Sequence, residues 1–223
     1  MTYELEKDYL LCEHGIILLV DEINGDSLKA LAEKLIYGRE HYQDAPLKLY
    51  CRCDGGMTRE AWALVNLIRQ DGNIEGHMVG DVVSAGAVIW AACQKRYVYP
   101  DVLMGLHSIG WWGLEGRIDR QRVASLEADS DLQNARTLRL FAEHSERDEA
   151  WWKERFTTHL VFMTAEELIE VGMAEAVPEQ PVITMPDTPE EIRRMAAALA
   201  NVKIHPWIPI PVPAENPPGY IQS

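Results

Sequence analysis

The segment GDVVSAGAVIWAAC, residues 80–93, decides the fold of this chain. It continues a short strand-like run at residues 76–80, and its small residues predict a helix that begins at Ser84. A hydroxyl at a helix N-terminus lies beside free backbone N–H groups and the positive end of the helix dipole. That position suits a nucleophile, but an isolated serine there is much more often only a helix cap.

Strand and helix patterns alternate on both sides of this segment. Further strands are expected at residues 16–23, 47–53, 96–99 and 102–107, and helices at residues 58–70 and after Asn24-Gly25-Asp26, where Ser27 can act as cap. This alternation predicts an α/β fold with a mainly parallel sheet covered by helices. Residues 119–144 predict either one long charged helix, about 40 Å in length, that projects or packs on a partner, or two surface helices.

The composition of the chain changes after Val177. Residues 164–177 predict a capped short helix and a strand, and Thr188-Pro189 begins another helix that runs to about Val202. Residues 206–218, PWIPIPVPAENPP, are too rich in proline for a helix or a central strand. We therefore expect one domain over residues 1–180, followed by a helix and a proline-rich tail over residues 181–223.

Charge and hydropathy exclude several classes of protein. The net charge is −14, which disfavours a nucleic-acid binder. No apolar run approaches the ~18 residues of a membrane span, and the N-terminus lacks the pattern of a secretory signal, so a cytoplasmic location is expected.

Cys51 and Cys53 lie on one face of a predicted strand, which favours a pair of buried thiols over half of a zinc site. We expect no metal and no cofactor.

Two further motifs carry chemistry. Asp54-Gly55-Gly56 follows a predicted strand, and a glycine pair there can leave backbone N–H groups facing a cavity, as in an oxyanion hole. Val102–His107 is an apolar strand that ends in a histidine, a position from which catalytic groups often emerge. Each motif alone is weak, because most glycine pairs are turns and most histidines are structural.

Taken together, these motifs resemble the Clp protease proteolytic subunit, a family of the crotonase-like superfamily, over about residues 8–177. The resemblance implies a repeated ββα core with a mainly parallel sheet and a long projecting "handle" helix at about residues 113–150. It also implies that Ser84 is the nucleophile, that His107 is its general base, and that the backbone N–H groups of Gly56 and Ala85 form the oxyanion hole.

One position departs from the family pattern. The family's third catalytic residue is an aspartate shortly before a Phe-x-[Ser/Thr]-Ala segment, here Phe162–Ala165, and the aligned position is Leu160. Loss of a triad aspartate can cost about 10⁴ in rate while leaving residual activity. Another group therefore substitutes, or the site works as a Ser–His dyad, or catalysis is weak.

The resemblance implies a serine endopeptidase that cleaves unfolded polypeptides in a ring oligomer, which the family stacks as two rings, with or without an ATP-dependent unfoldase of the AAA+ class. Two alternatives stay open. The first is a catalytically impaired structural or regulatory subunit, which Leu160 favours. The second, ranked last, is a crotonase-type acyl-CoA enzyme, a class that uses carboxylates in its site and does not need a Ser–His pair.

Overall fold

A seven-stranded sheet organises the residues that the computed structural model describes, which are 9–43, 45–110, 119–156 and 159–178. Its strands are β1 (Ile16–Leu19), β2 (Leu47–Cys53), β3 (Ile74–Val83), β4 (Lys95–Val98), β5 (Leu103–Leu106), β6 (Val161–Thr164) and β7 (Glu175–Ala176). The helices are α1 (residues 9–13), α2 (Gly25–His41), α3 (Thr58–Asp71), α4 (Ala85–Ala91), α5 (Arg120–Glu143), α6 (Glu149–Arg155) and α7 (Ala165–Glu170).

The sheet branches at β3. Strands β1, β2, β3, β4 and β7 are neighbours in that order, and every pairing among them is parallel. The first half of β3 pairs with β4, while Val82 and Val83 at its end pair with β5. Strand β6 then adds to β5 in the antiparallel direction. The expected α/β fold with a mainly parallel sheet is confirmed, and the branch brings the ends of β3 and β5 together.

Helices α2 and α4 pack on the face of β2 that carries Leu47, Leu49, Cys51 and Cys53, all of which are buried. Every residue of α4 is buried, and a Cβ added at Gly86 would lie only 2.9 Å from the Cβ of Cys53. The small residues of α4 are therefore needed for this close approach. All four cysteines of the chain are free and buried.

The structure corrects several boundaries. Strand β1 ends at Leu19, before the expected residue 23. Asn24, not Ser27, caps α2: its side chain accepts hydrogen bonds from the N–H groups of Asp26 and Ser27. Ser27 instead completes a capping box by accepting from the Asn24 N–H at 2.9 Å. Strand β3 is longer than expected, and helix α6 and strand β6 were not predicted.

Parts of three predictions lie outside the described residues. These are residues 111–118 of the handle region, the expected helix at 188–202, and the proline-rich tail. The division near residue 180 stays a prediction for the same reason. Within the described residues, no helix combines the length and the apolar character that a membrane crossing requires.

An aromatic ladder crosses the opposite face of the sheet. The ring of His77 stacks between Tyr50 and Tyr97, at centroid distances of 4.9 and 5.0 Å. His77 is 7% exposed, and neither of its ring nitrogens has a hydrogen-bond partner among the residues that the structure describes. The Glu75 carboxylate lies 3.7 Å away, too far for a hydrogen bond. Burial lowers the pKa of His77, although Glu75 partly opposes this effect.

We expect the folded protein to lose stability as the pH falls below about 6.5, because unfolded His77 then takes up a proton that the folded ring resists. The loss is complete once the pH reaches the lowered folded pKa. Urea unfolding at pH 7.5 and pH 5.5 measures the free energy of unfolding at each pH, and His77→Phe should reduce the difference between the two values. Some difference remains, because burial also lowers the pKa of His144. His14→Phe, at an exposed position, is the control. The assignment to His77 is wrong if H77F keeps the wild-type difference in the free energy of unfolding between the two pH values, or if H14F removes that difference.

Candidate active site

Ser84 occupies a strained junction between β3 and α4. Its backbone has φ 54° and ψ −121°, a region that non-glycine residues rarely adopt. The Ser84 N–H donates to the carbonyl of Gly105 at 2.9 Å, and the Ser84 carbonyl accepts from the N–H of Ala87 at 3.0 Å. The hydroxyl makes no capping hydrogen bond. The backbone is therefore held on both sides, while no hydrogen bond within the described part of the chain engages the half-buried hydroxyl, which argues against a role as a simple helix cap.

The Gly55-Gly56 turn lies directly against this junction. Both glycines have positive φ, 104° and 135°. The turn is fixed by hydrogen bonds from the Ile23 N–H to the Gly55 carbonyl and from the Met57 N–H to the Ile23 carbonyl, both at 2.7 Å. A Cβ added at Gly55 would lie 2.8 Å from the Ser84 Cβ and 3.4 Å from the Ala85 nitrogen. Only glycine therefore permits this approach.

The two backbone donors expected to form an oxyanion hole belong to this contact. Gly56 lies in the turn, and Ala85 directly follows Ser84. In the turns and helix starts of the described residues, no backbone hydrogen bond uses the N–H of Gly56 or of Ala85. Both groups are therefore available to an incoming oxygen atom.

His107 is the first residue after β5. Its Nδ1 lies 2.8 Å from the backbone carbonyl oxygen of Ser108. A carbonyl oxygen can only accept a hydrogen bond, so Nδ1 carries the hydrogen in this contact and donates it. The other ring nitrogen, Nε2, is then the unprotonated one and can accept a proton.

Ser84 and His107 line the same cleft, which has a volume of about 670 Å³ and also includes Gly56. A much smaller pocket of about 10 Å³ adjoins both side chains and Ala85, and its walls include Leu106 and Phe141. The two side chains are not hydrogen-bonded to each other, as is common in unliganded sites, where such bonds tighten only with substrate. The structure thus brings all four sequence-predicted site residues together.

Helix α5 forms one wall of the cleft and is tied to α3. Asp129 accepts a hydrogen bond from Arg59 at 3.1 Å, Arg69 reaches Glu143 at 2.9 Å, and Arg136 stacks over the Trp62 ring at 3.9 Å. The C-terminal half of α5 is buried through residues such as Phe141. The long segment is therefore one continuous helix whose C-terminal half packs against its own domain.

Sequence reasoning missed the acidic wall of this cleft. Among the described residues, Glu22, Asp54, Glu60 and Asp129 line it together with one cation, Arg59. Arg59 is paired with Asp129, and Asp54 is paired with Arg52 at 3.3 Å. These carboxylates come from separate elements, so no local sequence signal joins them. The described wall of the cleft therefore carries an excess of negative charge, which repels acidic groups.

Leu160 lies where the alignment of the sequence placed the missing aspartate. Strand β6 pairs with β5 in the antiparallel direction, and Leu106 is opposite Val161. Continuing this register by one residue places position 160 opposite His107. Leu160 is 45% exposed. Directly opposed residues on antiparallel strands have Cβ atoms about 4.5–5.5 Å apart, so this extension of the register puts a leucine where an aspartate would lie within reach of His107.

The branched parallel sheet, the strained serine at a strand-to-helix junction and the adjacent histidine define an α/β protein with a candidate serine–histidine hydrolytic site. The family model for Clp protease matches residues 4–181, so the chain belongs to the Clp protease family, whose members are serine peptidases of the Clp type.

A solved structure agrees on the fold. An asparagine-to-aspartate mutant of ClpP1 from Listeria monocytogenes superposes with a TM-score of 0.67, covering 77% of this chain and 95% of that chain, at 16% sequence identity. Identity at this level shows the fold alone. The family and the crotonase-like fold expected from the sequence are both confirmed.

Proposed function

We propose that this protein is a serine endopeptidase that cleaves unfolded polypeptides or peptides through an acyl-enzyme on Ser84. The observation that carries the proposal is the uncommitted Ser84 hydroxyl at a strained junction, in one cleft with a histidine whose Nδ1 is engaged and whose Nε2 is available. Membership of the Clp protease family supports the same reaction.

The proposed reaction has two halves. In acylation, the Ser84 Oγ attacks the scissile carbonyl carbon while its proton moves to the Nε2 of His107. The oxyanion that forms accepts hydrogen bonds from the N–H groups of Gly56 and Ala85. When the C–N bond breaks, His107 returns the proton to the leaving amine. In deacylation, water attacks the ester by the same route and releases Ser84.

The proposal extends to assembly and location. Family membership supports a ring oligomer, stacked as two rings through the handle, that acts in the cytoplasm with or without an AAA+ unfoldase. Helix α5 exposes Val123 in its first turn and Leu132 near its middle, at 41% and 60%, which supports packing of this helix against another subunit. The pocket beside Ser84, with room for about one water molecule, supports a very small side chain next to the cleaved bond.

Covalent labelling with a serine-reactive phosphonate tests the proposal. We expect the wild-type oligomer to take up label on one site per subunit, and Ser84→Ala to take up none, because the nucleophile is gone. Ser125→Ala is the matched control: its hydroxyl lies on exposed α5 and bonds only to the Gln121 carbonyl, so labelling should persist. Cleavage of casein and of neutral or basic peptides should follow the same pattern. The proposal fails if the correctly assembled wild-type protein is neither labelled nor active.

A second candidate function is a non-catalytic ring subunit. The observation that favours it is Leu160, which leaves no carboxylate opposite His107 in the strand register. Absence of labelling together with wild-type assembly would establish this alternative.

A further inference from the structure

One peptide group, that between Ser108 and Ile109, contacts two side chains of interest. Its carbonyl oxygen accepts the hydrogen bond from His107 Nδ1 at 2.8 Å. Its N–H donates to the side-chain Oδ1 of Asn134 at 2.8 Å. The C=O and the N–H of a trans peptide point in opposite directions, so a single planar unit connects the histidine to helix α5.

Asn134 thereby fixes the direction of the carbonyl. Rotating the peptide plane would break both hydrogen bonds at once, and α5 is itself tied to α3 by the Arg59–Asp129 and Arg69–Glu143 pairs. A hydrogen bond to the N–H of a peptide also polarises its C=O, which strengthens the bond that the carbonyl accepts. Both effects favour the form of His107 in which Nδ1 carries the hydrogen.

We infer that Asn134 is a positioning residue of the candidate active site, and that the Ser108 carbonyl which it orients takes the place of the absent carboxylate. In this arrangement the chain Asn134–peptide–His107 holds the imidazole in the tautomer and orientation that leave Nε2 facing the cleft. The inference rests on the proposed function for its catalytic meaning, but the tautomer can be measured independently of any activity.

A neutral carbonyl does only part of the work of a carboxylate. It sets the tautomer and the ring orientation, as a triad aspartate does, but it brings no negative charge to stabilise the imidazolium that forms during acylation. The site should therefore be slower than a complete triad, and what activity it has should depend on Asn134.

The test compares wild type with Asn134→Ala and Asn134→Asp. The alanine variant loses the acceptor for the Ile109 N–H, whereas aspartate keeps an acceptor oxygen in the same place. Arg139→Ala, which truncates an exposed side chain of the same helix, is the control. Two measurements are made on the assembled oligomer: the ¹⁵N chemical shifts of His107, which distinguish the two neutral tautomers, and the kinetics of phosphonate labelling.

Wild type should show the tautomer protonated on Nδ1, and N134A a mixture of the two tautomers. The maximal labelling rate of N134A should fall about ten- to a hundredfold, with the half-saturating probe concentration little changed, because a misplaced base slows the step without altering binding. N134D should recover the wild-type tautomer and most of the rate. R139A should match wild type in both measurements.

The inference is overturned if N134A keeps the pure Nδ1-protonated tautomer, or if N134D is no better than N134A in both measurements. Failure of the proposed function gives a different result, which is the absence of labelling in wild type. In that case the tautomer shifts alone still decide whether Asn134 positions His107.

Discussion

Replacing Leu160 with aspartate is expected to raise the rate of peptide cleavage by about ten- to a hundredfold. The antiparallel register places position 160 opposite His107, at a separation that an aspartate side chain spans. Leu160 is 45% exposed, so the new carboxylate would not be buried without solvent. The gain comes from negative charge beside the imidazolium, which the Ser108 carbonyl cannot supply.

The measurement is the kcat for a fluorogenic neutral peptide, made on oligomers of the same size. Leu160→Asn is the matched control, because it offers the same shape and an acceptor oxygen but no charge. If charge is the missing element, L160N should stay within a few-fold of wild type. An L160D protein that folds and assembles normally but cleaves no faster than L160N would contradict the expectation.

The Leu160→Asp background also bears on Asn134. Once a carboxylate holds the Nδ1 hydrogen, the orientation of the Ser108 carbonyl should matter less. The rate loss caused by Asn134→Ala should therefore be smaller in L160D than in wild type, a coupling that a double-mutant cycle measures. Equal losses in both backgrounds would mean that the two positions act on different properties of the site.

The second large effect is expected at Gly55. Replacing this glycine with alanine should lower the rate of phosphonate labelling by about 10²- to 10³-fold, comparable to the loss of an oxyanion-hole donor. The added Cβ would lie 2.8 Å from the Ser84 Cβ and 3.0 Å from the Val83 carbonyl oxygen, so the turn and the junction must separate. The positive φ of 104° adds a backbone strain of about 1–3 kcal/mol.

Gly25→Ala is the control for this variant. Gly25 is the first residue of α2, its φ is not positive, and nothing lies within 4 Å of an added Cβ. G25A should label at the wild-type rate and unfold at an equal or slightly higher urea concentration. If G55A remains folded, by urea unfolding, and labels like G25A, the contact between the turn and the Ser84 junction has no part in the reaction.

Local sequence patterns predicted many of the strands and helices correctly. The alternating LKLYCRC run predicted β2 with its observed bounds, and the small-residue run after Ser84 predicted α4. Both succeed because a half-buried strand and a tightly packed helix each impose their own pattern on the sequence. Helix α6 and the short antiparallel strand β6 were missed, because the charged EAWWKER segment and the four residues of VFMT are not flanked by the glycine turns or apolar runs that marked the other short elements.

Some residues of the candidate site could likewise be predicted from the sequence, and others could not. Ser84, His107 and the glycine turn each follow a strand, and their combination carried the family resemblance that implied their roles. The cap interpretation of Ser84 could be excluded only with coordinates, because it depends on whether the hydroxyl makes a hydrogen bond. Asn134 could not have been found, since it joins the site through one contact to a backbone group 25 residues away.

The buried cysteines make the covalent experiments selective. Burial raises the pKa of Cys51 and Cys53, and it raises that of Cys93 to about 12, so these thiols stay protonated in the folded protein. Cys12 is likewise buried. A thiol is nucleophilic only as its thiolate, so an electrophile meets no competing sulfur in the native state. The rate of cysteine alkylation then measures global unfolding, because the thiols react only once they are exposed. Phosphonate uptake measures the intact cleft, and both rates can be followed in one sample.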